Sequence, residues 1–294
     1  MTIQIREVCP RDGLQDHPIF VSTEAKLELI SRLHAAGMRR IEVTSFVSAT
    51  AVPQMADAAS VCAGLKRLAL DGCEVSAFAA TRAGATRAVE AGVGEISVAV
   101  AATDAMNQAN FGRSTGTMLD ELHAIAQMNG DTTLTATVAV AFGCPYAGDV
   151  LPHRVLSIAH ELVDAGYRTI FLGDTIGIGT PERVSELVVE MGREFPEIAI
   201  GAHFHDRDGQ ALDNVRAAID SGILLIDTSL AGLGGCPFAP GAGGNVATED
   251  VVALLETRGI ETGASTATLD DAAAWLRTTL SLPQRTVPTS RERG

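Results

Sequence analysis

The stretch TIFLGDTIGIGTPERVSELVVEMGREFPEIAIGAHFHD, residues 169–206, holds one complete unit of the fold. It opens on an apolar, β-branched run, TIFLGDT (169–175), which reads as a strand. Thr180 followed by Pro181 is a helix start, because proline is pre-set for the first helical turn. Residues 181–194 then carry helical spacing, and IAIGAHFH (198–205) returns to strand. Strict alternation of strand and helix predicts parallel strands covered by helices.

The same alternation runs along the chain. Strand-like runs recur at IQIREV (3–8), RIEVTSF (40–46), EVSAFAA (74–80), EISVAVA (95–101), TLTATVAVAF (133–142), 169–175, 198–205 and LLIDTSLAG (224–232), eight in all. Between them lie helical segments. In STEAKLELISRLHAAG, Leu27, Ile30 and Leu33 form one stripe, Thr23 is the expected cap and Gly37 the expected stop. The others cover about 55–70, 82–92, 117–128, 151–166, 181–194, 209–222 and 247–258. Eight such units fit a closed (β/α)8 TIM barrel, which needs ~250 residues. A doubly wound open sheet is the rival, but it carries a glycine-rich turn after its first strand. Here that turn reads CPRDGLQD. The expected division is a catalytic barrel over residues 1–263 and an extension over 264–294, with one helix at 265–282 and a loose tail.

Composition narrows the partners. With 46% hydrophobic residues and 4% aromatics, the chain suits close helix-on-strand packing. A net charge of −14 without a basic run makes nucleic acid and anionic membrane poor partners. Five scattered cysteines (9, 62, 73, 144, 236) with no CxxC argue against a disulfide framework. MTIQIREV begins directly as a strand, and no run approaches ~18 uninterrupted apolar residues. A cytoplasmic protein is expected.

In such barrels the active site lies at the C-terminal ends of the strands. Arg11, Asp12 and Gln15 follow the first strand; Glu42, Thr44 and Phe46 alternate on the second; Asp174 ends the sixth; His203 and His205 end the seventh; Cys236 and Asn245 follow the eighth. Elsewhere the strand interiors are Val, Ile, Ala and Leu. Side chains two apart on a strand point the same way, so His203 and His205 aim together while Phe204 faces opposite. Such a pair is either a metal site or two hydrogen-bonded histidines at a sheet end. Asp12 and Asn245 nearby favour the metal. Asp, two His and an amide oxygen form a mostly hard set without thiolate, which favours Mg²⁺ or Mn²⁺ over structural Zn²⁺. Four protein ligands would leave about two positions for substrate oxygens.

Three further features keep two readings each. LAGLGGCPFAPGAGGNVATED (230–250) is a floppy loop, or a glycine-hinged lid carrying Cys236. Cys236 itself is inert packing, or a proton donor brought in by that lid. Arg11 steadies an oxyanion, or forms a salt bridge to Glu42 or Asp174, or both. Glu42 is expected to be buried with Arg11 as its partner.

VCPRDGLQ, IEVTSFVS…VPQMAD, FGCPYAGDV, LGDTIGIGTP, HFHD…GQAL and AGLGGCPFA…GAGGNVATED together resemble the 3-hydroxy-3-methylglutaryl-CoA (HMG-CoA) lyases, from about residue 4 to residue 263. These belong to a wider group of metal-dependent carbon–carbon lyases and synthases on (β/α)8 barrels. The resemblance implies a divalent cation held by Asp12, His203, His205 and Asn245, an enolate steadied by Arg11, and proton transfer by Cys236. It also implies needed acids at Glu42 and Asp174, a base at His203 or Asp174, and an acyl-CoA substrate that Arg11 and Gln15 help to bind. A homodimer or higher homo-oligomer is usual among relatives. The expected reaction is retro-Claisen cleavage of HMG-CoA to acetyl-CoA and acetoacetate.

The surroundings depart from the family pattern. Ala49, Thr50 and Ala51 stand where PKW is usual, Pro18 where a lysine is often found, and Arg207 and Asp208 within HDTYGQ. Segments 79–84 and 110–114 also differ, and Arg82 and Arg113 there are candidates for phosphate contacts. These changes are ordinary drift or a changed acyl group. The rival functions are the same chemistry on another 3-hydroxy-3-carboxymethyl acyl-CoA, a condensing synthase of the isopropylmalate or homocitrate type, and a non-catalytic metal- or acyl-CoA-binding protein.

Overall fold

The computed structural model describes residues 3–128, 130, 132–235 and 243–283. Its strands are β1 (Gln4–Glu7), β2 (Arg40–Ser45), β3 (Glu74–Phe78), β4 (Glu95–Ala101), β5 (Thr133–Ala139), β6 (Thr169–Asp174), β7 (Ala199–Asp206) and β8 (Leu225–Thr228). Each pairs in parallel with the next, and β8 returns to β1. The result is a closed (β/α)8 TIM barrel. Its helices are α1 (Thr23–Ala35), α2 (Ala58–Leu65), α3 (Arg82–Glu90), α4 (Asp104–Phe111), α5 (Thr115–Ala126), α6 (Pro152–Ala165), α7 (Pro181–Glu194), α8 (Ala211–Asp220), α9 (Thr248–Thr257) and α10 (Thr266–Thr279). A two-residue strand, β9 (Gly244–Asn245), runs antiparallel to the end of β7. Arg277 on α10 donates to Ala231 O at 3.1 Å, tying that helix to the turn after β8. No helix among the described residues is long and apolar enough to cross a membrane.

Several local expectations are corrected. The fourth unit carries two helices, α4 and α5, where the spacing predicts one. Thr103 caps α4 by accepting from Met106 N–H, and Gly112 ends it at φ 65°. Ser22, not Thr23, caps α1 by accepting from Ala25 N–H at 3.2 Å. β5 stops at Ala139 because Val140 has φ 52°, a conformation that no strand continues through. The register slips between Glu42 and Thr44. Thr44 therefore turns to the sulfur of Met55, at 3.7 Å, instead of sharing the inner face with Glu42.

The two faces of the barrel wall differ sharply. Val98, Val100, Ala136, Val138, Ile170, Leu172, Ala202 and Phe204 are buried against the helices, as alternation requires. The inner face is polar. Arg6 on β1 reaches Glu95 on β4 at 3.2 Å and Thr135 on β5 at 3.1 Å, contacts that only span the interior. The expectation of Val, Ile, Ala and Leu inside the strands thus holds for the outward face, and on the inner face for small residues such as Ala99 and Ala139. Phe171 supplies inner bulk, and its ring centroid lies 4.0 Å from the Arg6 guanidinium carbon.

Gly201 on β7 lies opposite Phe171 in register, and a Cβ there would collide with that ring. Gly201→Ala should therefore cost about 1–3 kcal/mol by overpacking, seen as a lower thermal midpoint. Adding Phe171→Leu should recover part of the loss. A Gly201→Ala protein that melts with the wild type would contradict this packing.

Candidate active site

The first strand leaves the barrel through a wide π-helical turn, Cys9–Gly13. Leu14 N–H donates to Cys9 O at 3.0 Å and Asp12 N–H to Val8 O at 2.7 Å. The turn projects Arg11 and Asp12 over the mouth. It is fixed from beneath by Glu7, whose carboxylate accepts from Cys9 N–H at 2.8 Å, Leu230 N–H at 3.0 Å and Thr248 Oγ1 at 2.5 Å. Glu7 thus ties together β1, the turn after β8 and the start of α9.

A cavity of about 510 Å³ opens at this end. Arg11, Asp12, Gln15, Glu42, His203 and His205 all line it. The Arg11 guanidinium contacts Glu42 through Nε and Asp12 through Nη1, and Ser97 Oγ donates to the other Glu42 oxygen. Gln15 donates to Asp12 Oδ1 at 2.9 Å. Glu42 is fully buried, so the expected pairing with Arg11 is present.

Asp12, His203 and His205 each offer a ligand atom, and those atoms lie within 4.8 Å of one another. The imidazole centroids are 5.3 Å apart. His203 Nδ1 lies 3.1 Å from Asp227 Oδ2, which leaves Nε2 facing Asp12. His205 Nδ1 is buried without a hydrogen-bond partner among the described residues. An orphaned buried nitrogen beside a carboxylate and a second imidazole is what a cation would satisfy, so the residues fit a divalent metal. Asn245 lies opposite His205 on β9. Its Nδ2 donates to Asp12 Oδ2 and to Leu233 O, both at 2.8 Å. Service as an oxygen ligand requires the amide to turn over.

The charges favour this use. Burial pushes Asp12 upward, but Arg11 and the two imidazoles outweigh it and hold the carboxyl below the usual aspartate range. Burial, with the neighbouring His203, pushes His205 down to about 4. Burial also opposes charge on His203, but Asp227 and Asp12 prevail and raise it.

The remaining expected residues divide. Asp174 does not reach the cavity. Gly173 and Thr175 line it, and alternation turns Asp174 to the helix side. There both its oxygens accept backbone N–H groups, from Ile178 at 3.0 Å and Gly179 at 2.9 Å. A rim position on the sequence does not reveal which face a side chain takes. Cys236 lies outside the described residues. Arg113 lines the cavity and pairs with Glu121 at 2.7 Å, whereas Arg82 is exposed, next to the lining residue Thr81, and reaches Glu121 through its backbone N–H, at 2.6 Å. Arg6 and Asp227, which sequence reading passed over, form the cavity floor. A charge inside an apolar run, Arg6 beside Glu7 in IQIREV and Asp227 in LLIDTSLAG, was their only signal.

Comparison with known proteins gives a consistent picture. The HMGL-like family model matches residues 2–276. Hydroxymethylglutaryl-CoA lyase YngG of Bacillus subtilis is 37% identical over 286 residues, covering 96% of this chain and 94% of that one. A 3-hydroxy-3-isohexenylglutaryl-CoA/hydroxy-methylglutaryl-CoA lyase of Pseudomonas aeruginosa is 41% identical over 272 residues, covering 92% and 90%. Among solved structures, an HMG-CoA lyase from Acinetobacter baumannii in complex with coenzyme A and 3-methylmalate superposes with a TM-score of 0.92 at 34% identity, covering 100% and 96%.

A cation at Asp12, His203 and His205 competes with protons for the imidazoles. His205 is neutral well above pH 4, so His203, with its raised pKa, sets the dependence. Mn²⁺ affinity should fall about tenfold per pH unit below the His203 pKa, with one proton displaced. Calorimetry in buffers of different ionisation heat between pH 5.5 and 9 reads this directly. A pH-independent affinity would argue against the site.

Proposed function

The chain belongs to the HMGL-like family, and on that premise we propose a divalent-cation-dependent carbon–carbon lyase that cleaves HMG-CoA to acetyl-CoA and acetoacetate. The observation that carries the reading is the convergence of Asp12, His203 and His205 beside Arg11 at the mouth of one cavity.

The substrate of such a cleavage is a tertiary alcohol β to a thioester. The hydroxyl passes its proton to a water in the open cavity, C3–O becomes a carbonyl as the C2–C3 bond breaks, and the bond's electrons enter the thioester as an enolate. A divalent cation, Mg²⁺ or Mn²⁺, supplies Lewis acidity that lowers the alcohol's pKa. Asp12, His203 and His205 would hold it, with Asn245, its amide turned over, as the fourth ligand. His203 has one lone pair left once Nδ1 is engaged by Asp227. The ligand and base roles draw on the same Nε2, and we assign it to the cation. Arg11, aligned by Glu42 and Asp12, keeps further N–H donors for the enolate oxygen. Gln15 orients Asp12 and borders the substrate. Asp174 shapes the rim through the 178–179 backbone. From its motif, Cys236 protonates C2.

A second reading keeps the chemistry and enlarges the acyl group. Val47, Ala51, Val52, Ala80, Ala99 and Ala139 give the cavity a wall of small apolar side chains. The Pseudomonas relative is named for a longer branched substrate as well as HMG-CoA. We further propose a cytoplasmic homodimer or higher homo-oligomer, with residues 264–294 as an extension to the barrel.

A metal-supplemented assay against HMG-CoA and a longer 3-alkyl analogue tests the function. EDTA-sensitive release of acetyl-CoA from either is expected, and cleavage of neither would refute the lyase reading. A higher kcat/KM for the analogue would favour the enlarged substrate. His203→Ala and His205→Ala should both weaken Mn²⁺ binding at least about tenfold. A His203→Ala protein that keeps the metal but loses turnover would return His203 to proton transfer. Arg11→Met should lower kcat roughly 100–1,000-fold, about 3–4 kcal/mol, in a protein that still folds, with a lower thermal midpoint because Glu42 loses its partner. A near-normal rate would remove Arg11 from the mechanism.

A further inference from the structure

We propose that Asp227 is a positioning residue for His203, held by Arg6 across the floor of the cavity, and that this chain of three side chains sets the affinity of the cation site. The proposal rests on the reading of Asp12, His203 and His205 as ligands.

Asp227 on β8 lies in register with Arg6 on β1 and with His203 on β7. Arg6 grips its carboxylate at both oxygens, Nε to Oδ1 at 2.8 Å and Nη2 to Oδ2 at 2.8 Å. A bidentate pair of this kind fixes orientation as well as charge. Arg6 is itself held by Glu95 and Thr135 and stacked on Phe171. Asp227 and Arg6 are only 2% and 3% exposed, and these contacts hold both side chains in place.

The consequence falls on the imidazole. Both Asp227 oxygens accept guanidinium N–H groups from Arg6, which holds the side chain as a carboxylate. A carboxylate accepts hydrogen bonds and does not donate. The His203 proton must therefore sit on Nδ1, 3.1 Å from Asp227 Oδ2. That tautomer points the Nε2 lone pair at the space shared with Asp12, whose Oδ2 is 4.0 Å away. The other tautomer would put an N–H where a cation must sit. The carboxylate also makes the imidazole a stronger donor to a metal.

Asp227→Asn preserves shape and removes the charge. The readout is Mn²⁺ affinity of the substrate-free protein, measured by the electron paramagnetic resonance of free Mn²⁺. The metal-free thermal midpoint is measured alongside. Affinity should fall roughly 10–100-fold. A folded Asp227→Asn protein with wild-type affinity would overturn the proposal, even if its midpoint drops. Failure of the wild type to bind Mn²⁺ would instead overturn the cation reading beneath it. Because the substitution leaves Arg6 with one fewer counter-charge, a measurement on the wild type guards against a variant that does not fold. Nitrogen-15 NMR of histidine-labelled, Mg²⁺-loaded protein should show His203 protonated on Nδ1 and bare on Nε2. A proton on Nε2 would overturn the proposal.

Discussion

Successive side chains on a strand face opposite ways, and closing the sheet into a ring gives those two faces different fates. The outer face meets helices and must be apolar. The inner face meets only itself and the mouth. In this chain the inner face carries Arg6, Glu42, Glu95, Ser97, Thr135, His203 and Asp227; Arg6 with Glu95 and Thr135, and Ser97 with Glu42, connect strands that are not neighbours, while Asp227 joins its neighbours β1 and β7. The ligand trio is the upper edge of this polar interior.

Burying that many charges is costly unless each is paired. The pairing is close to complete. Arg6 answers Asp227 and Glu95, Arg40 also reaches Glu95 at 2.7 Å, and Arg11 answers Glu42 and Asp12. Replacing such a lattice by packed apolar residues is often neutral or stabilising in other proteins. Its presence here is better understood through what it orients than through what it adds to stability. His205 Nδ1 is a buried nitrogen lacking a hydrogen-bond partner among the described residues, and its side chain belongs to the candidate cation site.

Much of this was legible in the sequence. Eight β-then-α units follow from apolar runs and helix starts, and the spacing of His203 and His205 placed both on one face. The limits were equally physical. A helix as short as α4 shows too few turns for a stripe to stand out, although Thr103 marked its cap. The slip after Glu42 changes which side chains face inward, and no residue type there announces it. Asp174 lies at the rim as expected but on the opposite face from His203. Arg6 and Asp227 looked unrelated because their partnership spans more than two hundred residues of chain.

The stitch between β9 and β7 has a consequence for how the mouth can vary. Asn245 is anchored opposite His205, and its amide also donates to Leu233 O. Leu233 and Asn245 are thus joined to each other and to the end of β7. The ion's seat rests on that seam, whereas the small apolar wall of the cavity, Val47, Ala51, Val52, Ala80, Ala99 and Ala139, is carried on and after β2 to β5. Admission of new acyl groups and retention of the metal become separately inheritable traits.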